Sequence, residues 1–213
     1  NKLKYLYNPP LILKKVFSDF SWNTNNGKVL LTFDDGPNPG TTEIILKKLS
    51  EEKIKALFFC VGENVQKYPG LIEQIKDEGH SFGNHSFNHK ILNKISDEEK
   101  DYQISSVNKI FKDQFDIKLK YFRPSHGRFQ LSTSSLMKKH QLKNVMWSLL
   151  TYDYKNDLSI VKFAVEKYLK RNSIIVLHDS NKSKNIISDS ISFIADEVRK
   201  RNYQFGEAEE CLN

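Results

Sequence analysis

The sequence predicts an α/β fold in which parallel strands alternate with helices and close into a barrel. Three observations carry this. Seven short apolar runs, at 28–33, 56–61, 81–84, 119–123, 144–149, 173–177 and 203–205, read as strands. Amphipathic segments lie between most of them, the pattern of parallel βα units. The length of 213 residues suits one large domain better than two. At this length a barrel of fewer than eight strands is the natural closure, and a doubly wound open sheet is the alternative that periodicity does not separate from it.

Taken in order, residues 1–27 precede the first βα unit as an N-terminal extension. Asn8-Pro9-Pro10 and residues 23–27 are turn-like, so 11–20 reads as a short helix or loop covering one barrel end. The helical stretch 41–52 carries Ile45, Leu46 and Leu49 on one face. Val65, Leu71, Ile72 and Ile75 line the next, with Pro69 and Gly70 delaying its start. Ser96 and Glu99 form a capping box that opens a helix bearing Ile104, Val107, Ile110 and Phe111. Ile160, Val161, Ala164, Val165, Tyr168 and Leu169 mark another. Ile187, Ile191, Ile194 and Val198 form the stripe of the last long helix. No internal repeat or low-complexity tract interrupts 28–213, which reads as a single domain.

The net charge of +7 comes from basic residues scattered over helix-like stretches, such as Lys47-Lys48 and Lys138-Lys139, and reads as solvated faces. It favours an anionic or neutral polymer surface as partner and does not establish nucleic-acid binding. Cys60 and Cys211 form no disulfide framework and no CxxC pair, which excludes a cysteine-bound structural zinc. No run approaches the ~20 apolar residues of a membrane span, so no transmembrane segment is expected. The chain opens on Asn1 rather than Met, which is compatible with removal of a signal or anchor.

The out-of-place polar residues sort to one kind of position. Asp34 and Asp35 follow the first predicted strand, His85 and His89 the third, and Arg123 ends the fourth. Asp153 follows the fifth and His178 ends the sixth. The C-terminal ends of parallel strands are where α/β enzymes build their sites. His85 and His89, at i and i+4, would project from one face of a helical turn and chelate a divalent cation. A carboxylate from Asp34-Asp35 completes a three-ligand set, leaving the other aspartate free to accept a proton from an acidified water. Each residue also has a plain structural role open to it. His178 alone suits a hydrogen-bonded strand end, Arg123 an ion pair and Asp179 a cap. Among aromatics that could stack on a sugar, Phe129 and Tyr154 follow strand ends, while Trp147 reads as core or platform.

Thr32-Phe33-Asp34-Asp35-Gly36-Pro37 and His85-Ser86-Phe87-Asn88-His89 resemble the first two motifs of NodB-type polysaccharide deacetylases, the fourth carbohydrate esterase family. Arg123-Pro124-Ser125-His126-Gly127 is similar to the third motif, 147–154 to the fourth in part, and Val176-Leu177-His178 to the fifth. The motifs come in family order over roughly residues 28–206. The resemblance implies a distorted (β/α)7-like barrel that hydrolyses acetyl groups from N-acetylglucosamine-containing polysaccharide, chitin oligomers or peptidoglycan. By position, Asp35, His85 and His89 would bind one divalent metal: Zn2+ by family usage, with Co2+, Ni2+ or Mn2+ as substitutes. Asp34 would be the base that deprotonates the metal-bound water, and His178 the acid that protonates the departing amine. Asp153 would orient His178, Arg123 would orient Asp34, and the backbone N–H of His126 would serve the oxyanion.

Four departures stand out: His126 in place of the usual Tyr, Leu150 in place of an Asp, Tyr154 in place of a Trp, and Val176 in place of a Leu. None removes a base, acid or metal position, so they bear on substrate preference. The other readings are an O-acetyl-xylan-type esterase, a lipid-linked sugar deacylase, a non-catalytic glycan-binding domain and a mononuclear iron oxygenase. The last conflicts with the parallel βα pattern. A monomer acting in the cell envelope, periplasmic or secreted, is the expectation the family carries.

Overall fold

The computed structural model describes residues 5–213; the first four residues of the N-terminal extension lie outside the described part. Seven parallel strands form one curled sheet, a half-barrel: β1 (Leu30–Asp34), β2 (Leu57–Cys60), β3 (Ser81–Asn84), β4 (Tyr121–Phe122), β5 (Lys143–Asn144), β6 (Leu149–Leu150) and β7 (Ile174–His178). Their spatial order is β5-β4-β3-β2-β1-β7-β6. The helices are α1 (Leu11–Val16), α2 (Thr42–Glu52), α3 (Gly62–Lys67), α4 (Pro69–Asp77), α5 (Asp97–Phe115), α6 (Thr133–His140), α7 (Leu158–Tyr168), α8 (Ile187–Lys200) and α9 (Ala208–Leu212). The Ser96 hydroxyl caps α5 by accepting the Glu99 N–H at 3.2 Å. Pro69 does not delay a helix but begins one: it stands first in α4, where its missing N–H costs nothing, and a separate α3 precedes it.

Alternation along the strands sorts side chains into two cores. Leu31, Phe33, Phe58, Cys60, Ile175 and Leu177 pack outward with Ile45 and Leu49 of α2, Val161 of α7 and Ile191 and Ile194 of α8. Leu30, Leu57, Phe59, Tyr121, Val145 and Ile174 fill the inside of the curl, closed below by Ala208, Cys211 and Leu212 of α9. The register pairs Leu30 with Ile174, Thr32 with Val176 and Asp34 with His178. With a side-chain period of two, each column runs from apolar at the plugged end to polar at the C-terminal end. That places Asp34 and His178 on the inner face.

Two predicted strands differ. The run 144–149 is not one strand. β5 pairs with β4 and β6 pairs with β7, on opposite edges of the sheet, and the residues between cross from one edge to the other. β5 and β6 do not pair with each other. Residues 21–24 patch this seam: Ser21 N–H donates to the Asn144 carbonyl, Met146 N–H to that of Ser21, and Thr24 N–H to that of Asn172. The run 203–205 makes only a single bridge, Phe205 to Val29, before the chain turns into α9. The extension covers the barrel mainly through the residues after its short helix. No residue of α1 is buried, and the cover is Phe17, Phe20 and Trp22 packed on Met146.

His80 is buried beside β3, and its Nδ1 accepts the Ala56 N–H at 3.2 Å. Burial pushes its imidazole down to about 4, with Lys55 adding to the effect. The unfolded chain therefore takes up a proton below about 6.5 that the folded chain refuses until about 4. Stability from this group is full above 6.5 and is lost as pH falls through that window. The loss is of order 3 kcal/mol. Urea unfolding of wild type and His80→Gln between pH 7 and 4 should show the slope flattened in the variant.

Candidate active site and metal centre

The open end of the barrel holds a cleft of about 450 Å³ lined by Asp34, Asp35, His85, His89, His126, Trp147, Leu150, Tyr154, Val176 and His178, among others. Asp35, His85 and His89 each bring one ligand atom to within 4.8 Å of the others. The Asp35 Oδ1 lies 3.2 Å from His89 Nε2 and 3.6 Å from His85 Nε2. The buried His85 donates Nδ1–H to the Arg123 carbonyl at 2.8 Å. This fixes the tautomer and leaves the Nε2 lone pair facing the trio, the arrangement found in metal-ligating histidines. Two imidazoles and one carboxylate, with an open cleft beside them, fit a divalent cation such as zinc. Burial opposes ionisation of Asp35, but the imidazoles of His85 and His89 beside it, with the more distant His178, hold its carboxyl well below the usual carboxylate range.

The backbone brings the trio together by a route that the i, i+4 spacing did not reveal. Residues 85–89 are not helical. Ser86 and His89 have φ of 66° and 58°, and Asp35 and His126 have φ of 78° and 57°, all in the left-handed region. Such conformations are disfavoured for residues with a Cβ, by about 1–3 kcal/mol each, and persist where surroundings enforce them. Here Gln103 of α5 does so, its Oε1 accepting the N–H groups of Phe87 and Asn88 at 3.0 and 3.1 Å. Asn84 Oδ1 takes the Ser86 N–H, and Asn64 donates to the Asp35 carbonyl. Neither Gln103 nor Asn64 stands out in the sequence.

Arg123 fills the seam and is fully buried. Its Nε and Nη2 donate to the carbonyls of Val145 and Met146, both at 2.9 Å, and Nη1 to Thr32 Oγ1 and Asp34 Oδ1, both at 2.7 Å. The guanidinium also stacks 4.1 Å from the Phe59 ring centre. Asp34 is thus held beside a fixed positive charge, apart from the metal trio. Opposite, buried Asp153 accepts His178 Nδ1–H through Oδ1 and the His178 backbone N–H through Oδ2, each at 2.7 Å. Burial disfavours a charged His178, but the Asp153 carboxylate outweighs it and lifts the imidazole to about 9. The ring therefore carries a proton at neutral pH.

In the turn Ser125–Gly127 the N–H groups of Gly127 and Arg128 close on Pro124 and Ser125. The His126 N–H has no protein acceptor among the described residues. Gly127 is required here: its φ is 62° and a Cβ would stand 2.3 Å from the Trp147 ring. Trp147 and Tyr154 line the cleft, with Tyr154 edge-on to His178 at 4.9 Å. Phe129 does not line it. Its ring packs against Phe17, Phe20 and Trp22, so the aromatic taken for a sugar platform is part of the cover over the N-terminal segment. Arg128 and Lys182 line the cleft without having been anticipated, because nothing local distinguishes them from other surface cations.

A parallel α/β half-barrel with a two-histidine, one-carboxylate trio, flanked by an Asp–Arg pair and an Asp–His pair, is built as a metal-dependent hydrolase. The family model for polysaccharide deacetylases matches residues 22–145, and the chain belongs to that family. It is 34% identical over 193 residues to a peptidoglycan-N-acetylglucosamine deacetylase of Bacillus cereus, covering 88% of this chain and 90% of that protein. A second Bacillus cereus protein of the same name is 36% identical over 136 residues, 64% of this chain; the matched part spans half of that longer relative. A chitooligosaccharide deacetylase of Azorhizobium caulinodans is 31% identical, covering 73% and 75%. Among solved structures, a peptidoglycan N-acetylglucosamine deacetylase superposes with a TM-score of 0.88 at 26% identity, over 95% of this chain and 96% of that one.

Proposed function

We propose that this protein removes acetyl groups from N-acetylglucosamine-containing polysaccharide, peptidoglycan or chitin-type, with residues 28–213 as the catalytic unit. The observation that carries the reading is one cleft uniting the metal trio, the Arg123–Asp34 pair and the Asp153–His178 pair. Asp35, His85 and His89 would hold the metal, with zinc the best match to the donor set. When bound, such a cation supplies Lewis acidity, acidifying water and polarising an acetyl carbonyl.

The protein's own groups do the rest. Asp34, kept ionised and oriented by Arg123, accepts the proton of the attacking water. The His126 N–H donates to the oxygen on which negative charge develops, a contribution of about 3–4 kcal/mol for such a donor. His178, holding its proton through Asp153, delivers it from Nε2 to the departing nitrogen. Trp147 and Tyr154 provide faces for a sugar ring. The relatives named for peptidoglycan support a place in the cell envelope, and no helix of the described residues is long and apolar enough to cross a membrane. A single chain holds every group named, which supports action as a monomer.

The test is to incubate the zinc-loaded protein with N-acetylated glucosamine oligomers and with peptidoglycan strands, and to count acetate against new primary amines. Equal amounts support the reading. Acetate without new amines would assign O-acetyl hydrolysis instead, and neither product would point to a glycan-binding domain. A second prediction concerns pH. Activity should fall as His178 loses its proton near pH 9. In Asp153→Asn the counter-charge is gone, so the basic limb of the kcat profile should move toward the ordinary histidine value, about 6.5. An unmoved limb would remove His178 from the acid role.

A further inference from the structure

The carboxylates of the cleft are each matched, Asp34 by Arg123, Asp153 by His178 and Asp35 by the two metal-ligating histidines. Three cations at its mouth are not. Arg128 and Lys182 line the cleft, and Lys155 lies 5.5 Å from the ring of the lining residue Tyr154. All three are exposed, and none makes an ion pair with a described residue. Arg128 follows β4 and Lys182 follows β7, the inner neighbours of the two edge strands. The positive groups therefore stand on either side of the seam segment that supplies Trp147 and Leu150 to the cleft.

Resting on the deacetylase reading, we infer that Arg128 and Lys182, with Lys155 beside them, bind a carboxylate carried by the glycan next to the sugar that is deacetylated. The substrate class is thus an anionic acetylated glycan rather than a neutral one. Cations of one sign around a concave, partly apolar site focus the field on an incoming anion, and a guanidinium offers a carboxylate two parallel donors. Such groups select by charge and act on substrate affinity.

The experiment compares binding, by titration calorimetry, of two β-1,4-linked tetrasaccharides. In both, alternate sugars carry a lactyl ether, as the free acid in one and as its neutral amide in the other. The wild-type protein should bind the acid about tenfold more tightly than the amide. At ~1 M salt, where the Debye length is about 3 Å, the difference should vanish. Arg128→Gln/Lys182→Gln should bring the acid down to the affinity of the amide, with the loss in turnover falling on KM and not on kcat. A third chain, with the carboxylate moved onto an attached dipeptide, tells whether the group is read on the sugar or on a peptide. Circular dichroism verifies that the double variant is folded. Equal wild-type affinity for acid and amide, no binding of either at millimolar concentration, or a preference that survives the double substitution would each overturn the inference. Because binding needs no turnover, charge preference without acetate release would uphold it while overturning the hydrolase reading.

Discussion

Asp34→Asn is expected to lower kcat by about 10²–10⁴-fold, the range for loss of a positioned general base. The bound metal should remain, because Asp34 stands outside the Asp35, His85 and His89 trio and pairs instead with Arg123 at 2.7 Å. Asparagine keeps an acceptor for the guanidinium but not its counter-charge, so the variant should fold with lowered stability, which urea unfolding checks beside activity. Metal analysis of the purified variant beside its turnover number separates the two roles of the adjacent aspartates. If the variant lost its metal, the two assignments would have to be exchanged. If it kept full activity, another group would have to take the proton.

Arg123→Met carries the second large effect, on stability. The side chain is fully buried and four of its five N–H donors are used, on two carbonyls, one hydroxyl and the Asp34 carboxylate. Removing the cation strands the buried Asp34 charge and leaves the Val145 and Met146 carbonyls without their donor, at the point where β5 and β6 fail to pair. Breaking a buried pair in this way costs about 3–5 kcal/mol, a large share of a typical domain's stability. Arg123→Lys should keep the charge but not the fork that spans the seam. Urea unfolding of the three proteins at pH 7 measures this. A loss under about 1 kcal/mol for Arg123→Met would mean that the seam is held by the segment at 21–24 rather than by Arg123.

The local pattern of the sequence was enough to bring the candidate groups to one end of the sheet, because their positions depend on strand register. Asp34 and His178 end strands whose alternating residues read apolar then polar, and a period of two commits both to the inner face. The seam was not legible. Residues 144–149 look like one apolar strand, and only the partners on either side, β4 and β7, decide that the segment divides. The same holds for the turn that carries His89. Its spacing suits a helix, but the turn is held in another conformation by Gln103 of α5, which accepts the N–H groups of Phe87 and Asn88. Phe129 shows the converse. Its place after a strand suggested a sugar platform, while aromatic partners from the N-terminal segment, a hundred residues away in sequence, draw its ring into the cover. Arg128 and Lys182 carry no pattern at all, since an unpaired surface cation is distinguished only by what it faces.

The proposed reaction requires a divalent metal at Asp35, His85 and His89 for release of acetate from an acetylated glycan. The most direct measurement follows metal content and acetate release together on one preparation, before a chelator, after its removal with the metal, and after zinc is restored. Both should fall together and return together, and His89→Ala should lower metal affinity and activity in step. Acetate release that persists at full rate in the metal-free protein would contradict that requirement.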